Sequence, residues 1–157
     1  MDPWKRILPV LSCAVLSIAL AASSWAQVLP LPARPSNART GSQLRTALEP
    51  LTRDAREQVL YQEVLSGNVP DFLRTLRPVT ATQTIASVPR TVTYYVIPDY
   101  LAVGSNGDFF RMPMTPILAQ WIADRTSCTL PTRRMVDAIW SAATTKLSPQ
   151  TIAPSAE

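Results

Sequence analysis

Hydrophobic residues recur along the chain at two periods, and the switch between them divides it into parts. From Ser42 to Ser66 the spacing is helical. Ser42 is positioned to cap a short piece that runs to Leu48, and Pro50 ends it. Thr52 caps a second piece with Asp54 in its first turn, where the helix dipole favours an anion. Ala55, Val59, Leu60 and Val64 give this piece a narrow apolar stripe, and Gly67 is a natural stop. Pro70 to Leu76 reads as another helical turn or two, plugged onto a core by Phe72, Leu73 and Leu76.

Between Val79 and Met114 the residues favour strands. Thr91–Ile97 is rich in β-branched and aromatic side chains. Pro98-Asp99 is a turn pair, Tyr100–Gly104 a second strand and Phe109–Met112 a returning one. Asn106-Gly107 between them is the strongest turn signal, since both residues tolerate φ > 0. Val79–Ala86 is a further strand candidate. The helical period then returns. Thr115-Pro116 is a cap followed by a first-turn proline, with Ile117, Leu118, Trp121 and Ile122 on one face. Thr132 caps the last helix, whose stripe is Met135, Val136, Ile139, Trp140 and Ala143. The expected fold is α+β: a small antiparallel three- to four-stranded meander flanked in sequence by helices, with a C-terminal helical hairpin packed on the sheet.

The start of the chain follows a different pattern. A basic stretch to Arg6 precedes about 16 uncharged residues, Ile7–Ala22, and small residues occupy Ser24 and Ala26. This is the three-part pattern of a signal peptide spanning residues 1–26, and the apolar run is shorter than the roughly 20 residues of a spanning helix. Residues 27–41, with Pro30, Pro32 and Pro35, read as a Pro-rich disordered lead. Residues 42–149 form a single domain and 150–157 a linker-like tail. Cleavage after Ala26 leaves Cys128 as the one cysteine, so an internal disulfide is excluded. A lone cysteine of this kind is expected to be a small buried residue.

Composition narrows the chemistry further. The chain has 157 residues, no histidine, and a formal charge of +4. Ser-His-Asp and Cys-His catalysis, His-ligated zinc and an imidazole switch are therefore excluded. No glycine-rich phosphate cradle appears, and neither a metal nor a cofactor is expected. Basic residues are spread along the chain, Arg133-Arg134 being the longest run, so no nucleic-acid footprint is expected. Asp99 and Asp108 lie in turns at opposite ends of one strand. That is about 17 Å, too far for the paired carboxylates of a glycoside hydrolase. Both read as turn formers.

Two sets of residues remain as candidate sites. Thr132, Arg133 and Arg134 at a helix N-terminus would converge a hydroxyl, backbone N–H groups and two guanidiniums on an anion. The plainer alternative is an ordinary cap with solvated arginines. Tyr94, Tyr95, Phe109 and Phe110 are the exposed-aromatic candidates. Adjacent strand residues point to opposite faces, so one of each pair is core and the other is covered by a helix or open to sugar rings or a partner protein.

Four stretches carry a resemblance. They are Gly67–Arg74, Tyr95–Ser105 with Met112-Pro113, Ala119–Arg125, and Leu130–Asp137. Together they resemble a group of uncharacterised exported bacterial proteins, over about residues 60–150. The resemblance implies export but no activity. Members of that group are longer and continue with a segment holding histidines and aromatics, so this chain resembles an N-terminal portion or a short variant. The leading expectation is an exported, periplasmic or extracellular, non-catalytic binding or scaffolding domain of the cell envelope. Its partner would be an unknown protein or envelope component, with self-association as an alternative. A membrane partner is expected only if the leader stays uncleaved. The competing expectation is part of a carboxylate-dependent hydrolase acting on an extracellular or cell-wall polymer. One sheet edge or helix face is expected to stay open.

Overall fold

Four helices and two separate antiparallel hairpins make up the computed structural model over the residues it describes, 27–146 and 148, so the fold is mixed α+β. The leader, Pro149 and the tail lie outside the described residues. Helices α1 (Gly41–Leu48) and α2 (Arg53–Leu65) come first, followed by strands β1 (Arg77–Ile85) and β2 (Val88–Val96). Strands β3 (Ala102–Gly104) and β4 (Phe109–Arg111) and helices α3 (Pro116–Arg125) and α4 (Arg133–Ala142) complete the order.

The caps explain the helix starts. Thr52, Thr115 and Thr132 each accept a hydrogen bond from the backbone N–H three residues on. Helix α1 begins earlier than Ser42. Thr40 is its cap, and Gln43 closes a reciprocal capping box with it. Ser42 is instead held by Asp108, whose carboxylate accepts from both its N–H and its hydroxyl.

The core joins α1, α2, α3 and the β3–β4 hairpin. Leu44, Leu60, Val64, Leu73, Val103, Leu118 and Ile122 pack together in it. Gly67-Asn68-Val69-Pro70 is buried throughout. Asn68, with no exposed surface, donates to Arg39 O (2.9 Å) and Glu63 Oε2 (2.6 Å) and accepts from Arg34 Nε (2.8 Å). Its carbonyl accepts from Gly104 N. Gly67 has φ +83°, and a side chain there would meet Pro32 O at 2.2 Å.

This network corrects the reading of residues 27–41 as disordered. Leu29 is buried, its N–H donates to Arg74 O, and Leu76 N–H donates back to Gln27 O. Arg34 adds bonds to the carbonyls of Ala38, Arg39 and Gly104. The prolines spare this segment amide donors that it would otherwise have to satisfy, and the surrounding carbonyls are taken up by arginines.

The single meander is also corrected. β1 pairs only with β2 and β3 only with β4. Strands β1 and β2 form a nine-residue ribbon, Arg77 opposite Val96 and Ile85 opposite Val88. Its two-residue turn is Ala86-Ser87, with φ of 48° and 63°, the geometry of a type I′ turn. Asn106 and Gly107 do not adopt positive φ. The Asn106 side chain is engaged elsewhere, accepting from Asp71 N and donating to Asp71 Oδ2. The expected packing of the C-terminal helices on the sheet holds for one of the two. α3 packs on α2, and α4 packs on β1. Leu118 and Ile122 bury, whereas Ile117 and Trp121 are exposed.

Gly67→Ala is expected to destabilise the fold by about 2 kcal/mol or more, because it combines left-handed backbone with a backbone clash. Gly107→Ala, whose added carbon meets nothing within 4 Å, is the matched control and should stay within about 0.5 kcal/mol of the parent. Urea unfolding of the two variants checks this; equal midpoints would contradict it.

Candidate functional site

The β1–β2 ribbon and α4 stand apart from the core in composition and exposure. In a two-residue hairpin the pair beside the turn is hydrogen-bonded, so Ile85/Val88, Gln83/Arg90, Ala81/Val92 and Val79/Tyr94 are the bonded pairs. These residues share one face. The alternate pairs face the other way, and their backbone groups point outward. Pro78 and Pro89 both fall at such outward positions, where a missing N–H costs no ladder bond. The closer spacing of these pairs lets Thr80 and Thr93, and Thr82 and Thr91, join hydroxyls at 2.9 Å.

Helix α4 lies over β1 on the apolar face. The Tyr94 hydroxyl donates to Met135 O at 3.1 Å, and Arg134 Nη1 donates to Gln83 Oε1. Because the helix covers β1, Val79 is buried, while Val92 is 57% exposed. Ile85 and Val88 at the tip are 58% and 46% exposed. Helix α4 has a pronounced apolar stripe, yet none of its residues is buried. Val136 and Trp140 remain open, and the Lys146 ammonium lies 5.7 Å from the Trp140 ring centre.

The charge is divided between these parts. Residues 77–96 and 130–146 carry Arg77, Arg90, Arg133, Arg134 and Lys146 against Asp137 alone. In the remainder of residues 27–129, eight arginines meet eight carboxylates. The body is neutral, and the arm formed by the ribbon and α4 carries the net positive charge. Counting basic residues along the whole chain hides this division. Summing charge element by element reveals it.

The structure brings part of the sequence candidates together. Thr132 caps α4, accepting from Met135 N, and Arg134 bridges to the ribbon, while Arg133 is exposed. Tyr94 adjoins this helix, and Tyr95 is exposed on the opposite face. Phe109 and Phe110 belong to the other hairpin, so the four aromatics do not form one ladder. Phe109 instead packs edge-to-face on Phe72, with ring centres 5.2 Å apart. Cys128 is exposed rather than buried, because it follows Ser127, which turns the chain out of α3 with φ of 52°.

The turn carboxylates are tied up. Arg111 forks onto Asp99 with bonds of 2.5 and 3.1 Å, and this bonding holds the Asp99 carboxyl below its ordinary range. The hydroxyl of Thr40, then the hydroxyl and N–H of Ser42, lower that of Asp108. Neither is tuned towards a proton donor. Among the described residues no group of three or more carboxylates and cysteines could hold a metal ion.

Two hollows mark the body. One, about 780 Å3, is bordered by Arg34, Asp71, Arg74, Ser105 and Asn106. Its guanidiniums are engaged: Arg74 donates to Pro32 O and Gly67 O, and its Nε lies 3.4 Å from Asp71 Oδ1 but out of line for a hydrogen bond. The other, about 640 Å3, has Leu48, Leu60, Phe110 and Met114 as its floor. Glu57 at its rim accepts from the N–H and hydroxyl of Thr115, fastening α2 to the start of α3.

No protein-family model, curated protein or solved structure matches the chain.

The Asp99–Arg111 pair makes a pH prediction. A lowered folded-state pKa contributes stability above the ordinary aspartate value, about pH 4, and that stability is lost as pH falls through the folded value. Both side chains are partly exposed, so the contribution is at most about 1 kcal/mol. Asp99→Asn is expected to lower the urea midpoint at pH 7 and to converge with the parent near pH 2. A difference that persists unchanged at low pH would contradict this assignment.

Proposed function

We propose that the chain is an exported binding or scaffolding domain of the bacterial cell envelope that docks through its ribbon–α4 arm. The observation that carries this reading is the arm itself: an amphipathic helix and a strand pair whose apolar positions stay open on a charged element. A two-stranded ribbon is marginal alone, and α4 gives it only partial cover. The leader pattern and the resemblance to exported proteins support the location. The hydrolase alternative gains nothing from Asp99 and Asp108, since both are bonded in ways that favour the charged form.

A photo-crosslinking residue placed at Val88 or Val136 in the exported protein tests the proposal in the producing cell. Adducts with an envelope component are expected from these positions and not from Gln58 or Gly107 on the body. Adducts from the body positions alone would reverse the assignment.

A further inference from the structure

Resting on that docking reading, we infer that the surface the arm meets is an anionic lipid bilayer, entered by the ribbon tip. Neither hollow described above is bordered by residues of the tip. The tip offers the apolar pair Ile85 and Val88 on either side of a short Ala-Ser turn. One row behind on the same face stand Arg90 and Gln83, and Arg134 of α4 reaches that row through Gln83. Two residues of strand place these cations about 7 Å behind the apolar pair. An interfacial element buries its apolar side about 5–10 Å, which sets the guanidiniums at the phosphate level.

The rest of the geometry limits the depth. Among the described residues the outward N–H and C=O groups of both ribbon edges meet no backbone partner, and they would be costly in hydrocarbon, so only the tip enters. Self-association through the arm would bring two positively charged arms together, whereas an anionic surface neutralises them. This contact is peripheral and needs nothing from residues 1–26.

The test uses protein recovered from the exported fraction, its N-terminus sequenced, and cosedimentation with phosphatidylglycerol/phosphatidylcholine or pure phosphatidylcholine vesicles. Binding is expected to the first only and to fall as salt is raised. Arg90→Gln with Arg134→Gln should weaken it about 25-fold, at about fivefold per charge. Ile85→Ser with Val88→Ser should weaken it at least about tenfold. Thermal melts by circular dichroism establish that these exposed-site variants stay folded. Equal binding to both vesicle types, binding to neither, or variants that bind like the parent would overturn the inference. A concentration-dependent dimer lost in the arm variants would overturn it in favour of a second copy. If vesicles fail while photo-adducts at Val88 join a protein, the lipid assignment falls and the docking reading stands. If both fail, both fall.

Discussion

The buried amide of Asn68 is the constraint on which the body of this protein depends. It has no access to water, so each of its polar groups must be satisfied within the chain. The partners come from the lead segment, from α2 and, through its backbone, from β3. An unmet partner here would cost about 1–3 kcal/mol, and more for the charged Arg34 and Glu63. Packing follows from this satisfaction. Gly67 turns the chain so that Asn68 faces inward, Val69 and Pro70 seal it, and Arg74 fastens the same loop to Pro32. The lead is ordered because the hub needs the carbonyl of Arg39 and the guanidinium of Arg34. Proline content alone does not reveal that demand.

Local chemistry was therefore the most legible part of the sequence. Thr52, Thr115 and Thr132 cap where their neighbours indicate, because a cap is decided within four residues. Strand existence was also legible, from the β-branched run ending at Ile97. What failed required knowledge of distant partners. Asn106 gives up its turn preference because Asp71 claims its side chain. Ala86 and Ser87 accept positive φ because nine paired residues on either side hold the register. Trp121 lies at helical spacing with Leu118, yet it sits over Tyr61 at the surface, their ring centres 6.2 Å apart.

The candidate site was legible in its pieces but not as a unit. Thr132, Arg133 and Arg134 were marked together as an anion site and Tyr94 as an aromatic candidate, and the packing of α4 on β1 brings the two sets onto one element pair. Phe109 and Phe110 were marked by the same aromatic argument and belong to the core side of the molecule. Separating the two groups requires knowing that β2 and β3 do not pair. The break lies at Ile97–Leu101, where Asp99 turns its carboxylate back to the Tyr100 N–H and across to Arg111. That bonding commits the turn to the β3–β4 hairpin and releases the ribbon from it.

This release has an energetic consequence for the arm. A ribbon joined to the body's sheet would have had one strand edge and one face covered, and its charge would sit among the body's carboxylates. Standing apart, it keeps its hydroxyl pairs on one face and its apolar pairs on the other, and together with residues 130–146 it carries five cations with one carboxylate. The body balances its arginines internally, so its field cancels within a Debye length of about 10 Å. The arm's field does not cancel, and it reaches outward from the same element that exposes Ile85, Val88 and Val92. Apolar exposure and uncancelled charge of one sign thus coincide on one element. A folding core could have used the first and a solvated surface the second. Their coincidence is what a surface of opposite charge and apolar interior would select.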